Sequence, residues 1–568
     1  MNYPTTLRRS ALYCLLALLP ASLSRGDETP RVPTRAGDHH EVPDDPYIPS
    51  PRAEHPRSPA MRFGSRSFIA VQVNVDELGQ NIVGDAANEP SIAVDATDPD
   101  RMAIGWRQFD TISSNFRQAG YAYTTDGGLT WTFPGVIEPG VFRSDPVLDS
   151  DADGGLYYNS LTVENGDEYL CDVFRSFGGG VTWDSGVSAR GGDKQWMAID
   201  KSGGVGDGHI YAFWNAYFSS CPPGSFTRST NSGNSYESCT EIPNDPYWGT
   251  LTVAPDGALY AVGVPLFGDD FVVTRSTNAQ QAGQTVSWTS AAFALGGSMD
   301  SNTGPNPGGL LGQAHIATIP DGGPQGYALC VLCSVNPSGS DPLDIKFARS
   351  TNGGATWGAP VRVNDDTGNA WQWFGTMSTS PSGRIDAVWL DTRDNPGTYL
   401  SSLYYAYSTD GGLSWSENER LSAAFDPHVG WPNQQKLGDY FHMLSDDTGF
   451  SLAWAATFNG EQDVYYARMS LGATAAGETP PPPIALLSSD PNPFTASTTL
   501  RYKVPRAAFV TLEVYDPLGR RVATLVADER QAGSYETQLD GQSLAGGIYL
   551  CRLSTGDYQD AVKLLHLK

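Results

Sequence analysis

A chain of 568 residues is longer than a single ordinary core requires, so two or more domains are expected. With 62 Gly, 14 Trp and 26 Tyr against only 17% charged residues, the composition suits short strands and tight turns rather than long helices and predicts an all-β protein. A formal net charge of −27 argues against a nucleic-acid partner, because phosphate binding leans on Lys and Arg.

The opening segment, MNYPTTLRRSALYCLLALLPASLS, sets Arg8 and Arg9 ahead of an apolar stretch over residues 11–19 and ends in small residues. It reads as a secretory signal peptide over residues 1–24, cut near Ser24. A twin-arginine route is the alternative for the Arg pair. The apolar run is roughly half of the ~20 residues a membrane span needs, and no other segment could cross. Residues 25–66, rich in Pro, Arg, Asp and His, are expected to form a disordered leader.

Residues 67–474 carry an internal repeat. The strings TTDGGLTW from Thr124, SFGGGVTW from Ser176, STNSGNSY from Ser229, STNAQQAGQTVSW from Ser276, STNGGATW from Ser350 and STDGGLSW from Ser408 start 47 to 74 residues apart. An alternating strand precedes each, so the string sits in a hairpin turn. There the Asp or Asn side chain can accept backbone N–H bonds, Gly takes positive φ, and Trp caps the apolar layer. Gly178, where Asp is expected, shows that the carboxylate can be spared.

These strings resemble the Asp-box, or bacterial neuraminidase repeat, S-x-D-x-G-x-T-W. The resemblance implies a β-propeller in which the box joins the third and fourth strands of a blade, on the rim away from the active site. Two strands precede the third in each repeat, and a seventh such pair, FHMLSDDTGFSLAWAATF, continues into a third strand, DVYYARMSLG, whose box has decayed and which has no fourth strand. The lone strand FIAVQVNV, residues 68–75, is expected to complete that last blade by pairing with residues 464–470. A seven-bladed propeller follows, the alternative being the six blades of sialidases.

Six cysteines remain after the signal peptide, and outside the cytoplasm they can pair. Cys221 and Cys239 flank one repeat hairpin, which predicts a disulfide between them. Cys330 and Cys333 lie three apart on a strand and point to opposite faces, as buried thiols or a local bridge; with no second pair nearby, a zinc site is not expected. Residues 475–486 form a stiff Pro-rich linker. Beyond it, residues 487–568 alternate as strands, and PNPF, VYDPLGRRVATL and LAGGIYLCRL resemble the Ig-like domain of the flagellar hook-capping protein and of type IX secretion sorting domains. That resemblance implies a small β-sandwich that engages the secretion machinery and leaves the protein secreted or on the outer cell surface.

In a propeller the leading ends of the first strands, with adjoining loops, form the usual binding site. They nominate Asn88, Glu89, Arg143, Asp145, Asp193, Lys194, Trp196, Asp245, Tyr247, Gln313, His315, Trp373, Asp439 and Tyr440, a polar and aromatic set suited to a sugar. For a sialidase the resemblance implies three arginines around a substrate carboxylate, a Tyr nucleophile with a Glu, and an Asp as acid and base. Arg107, Arg143 and Arg393 would supply the cluster, Glu89 and Tyr440 the pair, and Asp145 the acid. The family's F-R-I-P string is absent; Phe142-Arg143-Ser144-Asp145-Pro146 stands nearest to it. Asp149, Asp151 and Asp153 alternate as in a calcium loop, yet Ser160 replaces the Glu of an EF-hand, and a plain turn is the competing reading. No cofactor is required, and calcium at these three is the one candidate. Two functions are carried forward: a sialidase-like exo-glycosidase acting on extracellular glycans, and a noncatalytic propeller binding glycan or protein at the cell surface.

Overall fold

The computed structural model describes residues 45–471 and 488–568, apart from residues 66, 165–167, 266–269, 338, 505–507, 518, 532 and 556–557. The expected signal peptide and linker lie outside the described residues. The protein is all-β, and no helix among the described residues is long and apolar enough to cross a membrane.

Seven small antiparallel sheets follow one another along residues 62–470. The first contains Ala86–Val94, Met102–Phe109, Gln118–Thr124 and Thr132–Val136 in spatial order. The next six open with Ser144–Ser150, Trp196–Ile199, Leu251–Val253, His315–Pro320, Gln372–Thr379 and His442–Asp446. Each opening strand touches the next, and that of the seventh sheet touches that of the first. Strand alternation explains the stacking. In the sixth sheet, Ile385, Ala387 and Trp389 join the core shared with the fifth, while Val388 and Leu390 face the core shared with the seventh. The seventh sheet places Phe68–Gln72 beside Asp463–Ser470, with Phe68 opposite Met469 and Gln72 opposite Tyr465.

The repeated strings form the hairpins between third and fourth strands, except that STNSGNSY follows the third strand of a three-stranded sheet. In the first copy the Thr124 hydroxyl donates to Asp126 at 2.7 Å and accepts from Gly128 N–H at 3.1 Å, while Asp126 accepts from Thr130 N–H at 3.0 Å. The Asn copies reproduce the pattern, with Ser350 bonded to Asn352 at 3.0 Å and Thr356 N–H donating to Asn352 at 2.9 Å. In the copy without a carboxylate, the Ser176 hydroxyl still accepts from Gly180 N–H at 3.0 Å. The aromatic of each hairpin packs on the preceding sheet: Trp183 lies 6.0 Å from Tyr121, Trp288 5.1 Å from Phe226, Trp357 4.2 Å from Phe293 and Trp415 5.4 Å from Phe347. Trp131 meets Tyr466 of the seventh sheet at 5.3 Å, so the same staple joins last to first. Gly412, at φ 83°, sits directly against the Phe347 ring, where a Cβ has no room.

The leader departs from expectation. Within residues 25–66, Arg57–Pro59 pairs with Gln80–Ile82, and Arg62–Gly64 extends the seventh sheet beside Phe68–Gln72. Few apolar residues suggested disorder, but polar groups hold this segment: the Val83 N–H donates to Pro56 O at 2.9 Å, and Arg52 lies 4.2 Å over the Phe133 ring. Cys221 and Cys239 are bonded with Cα atoms 6.4 Å apart, and Cys171, Cys330, Cys333 and Cys551 are buried free thiols. In the C-terminal part, a three-stranded and a four-stranded sheet share one core that includes Leu500, Tyr502, Leu512 and Leu553.

Candidate functional site

The seven opening strands share a backbone feature at their leading ends. Glu89, Asp145, Lys194, Trp248, Gly312, Phe374 and Gly438 take φ values of 56°, 44°, 56°, 56°, 143°, 55° and 95°. In the first and sixth sheets this residue lies inside a bulge of the ladder, between Asn88 and Ser91 and between Trp373 and Thr376. A left-handed non-Gly residue costs about 1–3 kcal/mol and persists only where its surroundings fix it. At Glu89, Asp145, Lys194 and Gly438 the surroundings are buried charges.

The Lys194 ammonium lies 2.9 Å from Asp439, 3.3 Å from Asp145 and 3.5 Å from Asp193, with all four side chains fully buried. Lys436 approaches Asp439 at 2.8 Å, and Arg107 lies 2.6 Å from Glu89 and donates to Asn88 Oδ1 at 2.9 Å. This network ties the first, second, third and seventh sheets together. Burial pushes the Glu89 carboxyl well above the usual carboxylate range, with Arg107 opposing and Asp145 and Asp439 adding to the rise. Four acids, Glu89, Asp145, Asp193 and Asp439, thus share the buried network with three cations, Arg107, Lys194 and Lys436.

Aromatic nominees gather beside it. Trp196 stands edge-on to Tyr440 at 5.2 Å, His442 at 5.5 Å and His315 at 6.2 Å. Burial pushes His315 down to about 3 and His442 down to about 4, so both rings are neutral at physiological pH. His442 Nδ1 accepts from Ile92 N–H at 3.3 Å. The Tyr440 hydroxyl donates to Pro146 O at 2.7 Å, and burial followed by Glu89 holds this phenol well above its ordinary value. Gln313 is buried with neither end of its amide hydrogen-bonded.

Other nominees lie elsewhere. Trp373 is fully buried and donates to Ser401 at 3.0 Å inside the sixth sheet's core, and Tyr247 packs edge-on to Trp248 at 4.9 Å. Asp245 is half-buried at φ 40°, its carboxyl raised by burial and then by Glu241. The three arginines do not share a site. Arg107 faces Glu89; Arg143 lies 2.8 Å from Asp172 in the second sheet; Arg393 reaches Asp391 at 2.8 Å and Asp365 at 2.6 Å around the sixth. Each guanidinium is held by acids of its own sheet or adjoining loops, so no common carboxylate can meet all three. Asp149, Asp151 and Asp153 do not converge either. Asp149 accepts from Ile199 N–H at 2.8 Å and meets Lys201 at 2.6 Å, while Asp151 staples its own turn through Gly155 N–H at 2.7 Å and Tyr157 at 2.8 Å. Among the described residues no three His, Cys, Asp or Glu side chains gather to hold a metal.

The sequence reading missed Lys436, His442 and Asn306. Asn306 belongs to the hairpin Ser301–Thr303 and Asn306–Leu310; it donates to Gly438 O at 2.9 Å and accepts from Leu437 N–H at 2.8 Å, while Leu310 N–H donates to Asp439 at 2.8 Å. A Lys embedded in QQKLGDY, three residues before an Asp, was the available signal for Lys436.

Comparison with known proteins adds one assignment. No curated protein matches the chain. Among solved structures it is similar to a Dyadobacter fermentans protein of unknown function at 14% identity, covering 73% of this chain and 99% of that one with a TM-score of 0.40. It is also similar to Kuenenia stuttgartiensis hydrazine synthase at 14%, covering 66% and 95% with a TM-score of 0.38, and to Trypanosoma rangeli sialidase at 12%, covering 89% of each chain with a TM-score of 0.36. Residues 491–566 match the family described as secretion system C-terminal sorting domain. That segment is a type IX sorting domain, and the protein is secreted or carried on the outer cell surface.

Proposed function

We propose that the seven sheets are the blades of a seven-bladed β-propeller that binds extracellular glycan without catalysis. The cyclic contacts of the opening strands and the shared seventh sheet support the blade count. One observation carries the noncatalytic reading: Arg107, Arg143 and Arg393 are held by separate carboxylates, while the Tyr440 hydroxyl faces a backbone carbonyl instead of a general base. A nucleophilic Tyr needs an adjacent base to take its proton.

Glycan is favoured as the ligand by a run of partly exposed rings on the loops before the sixth and seventh opening strands and between the second and third strands of the sixth sheet. Trp371 lies 6.2 Å from Tyr399, Tyr399 5.0 Å from His428, and His428 4.8 Å from Trp431. Such faces suit the apolar side of a sugar, and the net charge of −27 disfavours anionic glycans. The test pairs a fluorogenic glycoside panel, sialosides included, with a glycan array. Expected are no turnover and binding to neutral glycans that Tyr399→Ala with Trp431→Ala weakens; hydrolysis abolished by Tyr440→Phe overturns the reading.

A further inference from the structure

The rings Trp371, Tyr399, His428 and Trp431 touch in sequence but do not share a plane. Trp371 and Tyr399 are inclined at 67°, Tyr399 and His428 at 42°, and His428 and Trp431 at 48°. With centroids 4.8–6.2 Å apart, each ring stands against the next, and no two neighbours are coplanar. Tyr399 is the most open of the four at 39% exposure, while the other three are half-buried.

Contacts from outside the run fix these tilts. Gly304, at φ 57° in the turn of the hairpin Ser301–Thr303 and Asn306–Leu310, lies against the six-membered ring of Trp371, where a Cβ would come within 2.6 Å. The Trp371 N–H donates to the Thr392 hydroxyl at 2.9 Å, and the Thr392 N–H donates back to Trp371 O at 3.2 Å. His428 Nε2 donates to Pro305 O of the same hairpin at 3.1 Å, and the His428 N–H donates to Asp426 at 2.9 Å. The segment carrying His428 and Trp431 is tied down twice more, by Gly308 N–H to Gln435 O at 3.1 Å and by the Asn433 amide to Ser113 O at 3.0 Å. Lining up Trp371 and His428 with Tyr399 would cost the Gly304 contact and the bond to Pro305. The tilted arrangement is therefore the one a ligand meets, and a surface ordered in advance loses little freedom on binding.

A crystalline polysaccharide presents parallel chains as a rigid flat face, and only rings lying in one plane can stack on it together. A single chain in solution turns about its glycosidic bonds, so consecutive sugars offer their apolar faces to rings at different tilts. We infer, resting on the glycan reading above, that the run binds one soluble chain of neutral sugars, centred on Tyr399, and not the face of a crystalline polysaccharide. The site then selects the physical state of the polymer as well as its charge.

The test gives the full-length protein neutral glycans of matched chemistry in two states: cellohexaose, chitohexaose and mannohexaose in solution, and microcrystalline cellulose, α-chitin and crystalline mannan as solids. Titration calorimetry reads the first set and depletion from the supernatant the second. Expected are binding to at least one soluble oligosaccharide and no depletion by any solid. Tyr399→Ala should weaken the soluble binding about tenfold, the loss of one stacked ring, with Tm unchanged because the ring is exposed. Depletion by a solid at least as strong as binding to its soluble counterpart overturns this inference and leaves glycan binding standing. Soluble binding that Tyr399→Ala does not weaken also overturns it, by placing the ligand elsewhere. No binding to either set overturns the inference, and no binding on the glycan array overturns the reading beneath it as well.

Discussion

The hairpins between third and fourth strands and the leading ends of the opening strands both recur from sheet to sheet, but they repeat different things. The hairpins repeat a side-chain device: a Ser or Thr hydroxyl bonds the turn, an Asp or Asn collects N–H groups in every copy but the one at Gly178, and an aromatic ring meets the preceding sheet. The opening strands repeat a backbone conformation, filled by Glu89, Asp145, Lys194, Trp248, Gly312, Phe374 and Gly438 in turn. A repeat carried by side chains narrows residue type from copy to copy, to Ser or Thr at the first position and mostly Asp or Asn at the third. One carried by φ alone leaves identity free, and that freedom lets four sheets meet through complementary charges.

The largest effect that would sharpen this contrast is at Lys194. Lys194→Met removes the cation from three buried aspartates and should destabilise by about 3–5 kcal/mol in chemical denaturation, the range for breaking a buried ion pair. A loss under 1 kcal/mol would show that those aspartates are already protonated. Trp131→Ala comes next. At 7% exposure and packed on Tyr466, its removal should cost about 3 kcal/mol while leaving glycan binding unchanged, which separates staple from site.

Glu89→Gln should cost less than about 1 kcal/mol at neutral pH, because burial raises the Glu89 carboxyl and an amide of the same shape removes the penalty of burying its charge. An ionised Glu89 paired with Arg107 would instead give a loss as large as that at Lys194. The pH dependence has a definite sign. With its folded value raised, Glu89 contributes stability that is full below the ordinary carboxylate value and falls as pH rises toward the raised one, so Glu89→Gln should flatten the Tm–pH curve above the ordinary carboxylate value.

The smallest effect is expected at Asp410. Its carboxylate is held down at about 2 by the Ser414 hydroxyl and N–H, so its contribution is present above the ordinary value and lost as pH falls through about 2. It is exposed, and Asn already stands in the matching place at Asn352. Asp410→Asn should therefore shift stability by only a few tenths of a kcal/mol at neutral pH, with acid melts as the sensitive readout.

The same contrast explains what could be read in advance. The hairpin strings and the alternation before them expose the strand order of every sheet, and the missing fourth strand of FHMLSDDTGF points to Phe68–Gln72 as its partner. The Cys221–Cys239 bond follows from two cysteines flanking one turn. At the strand ends, residue type was visible but direction was not. Asp145, Asp193 and Asp439 were singled out as ligand-facing acids, whereas the bulged backbone turns them onto Lys194. Arg393 was expected in a cluster around a substrate carboxylate, though Asp391 two residues earlier already holds it. DSDADGG has the spacing of a cation loop, yet a turn consumes the same carboxylate oxygens by binding its own N–H groups.

The shared seventh sheet has a kinetic consequence. Asn74 and Asp463 bond directly across 389 positions of chain, so the final clasp is among the least local contacts the molecule makes. Stacked repeats with open ends can grow from any point and fray from either end. A clasp of such high contact order delays completion until both termini of the array have emerged and docked, after which no end remains from which unravelling can start. The unclasped intermediate exposes two bare strand edges, so between synthesis and closure the chain is at its most prone to pairing with a neighbour.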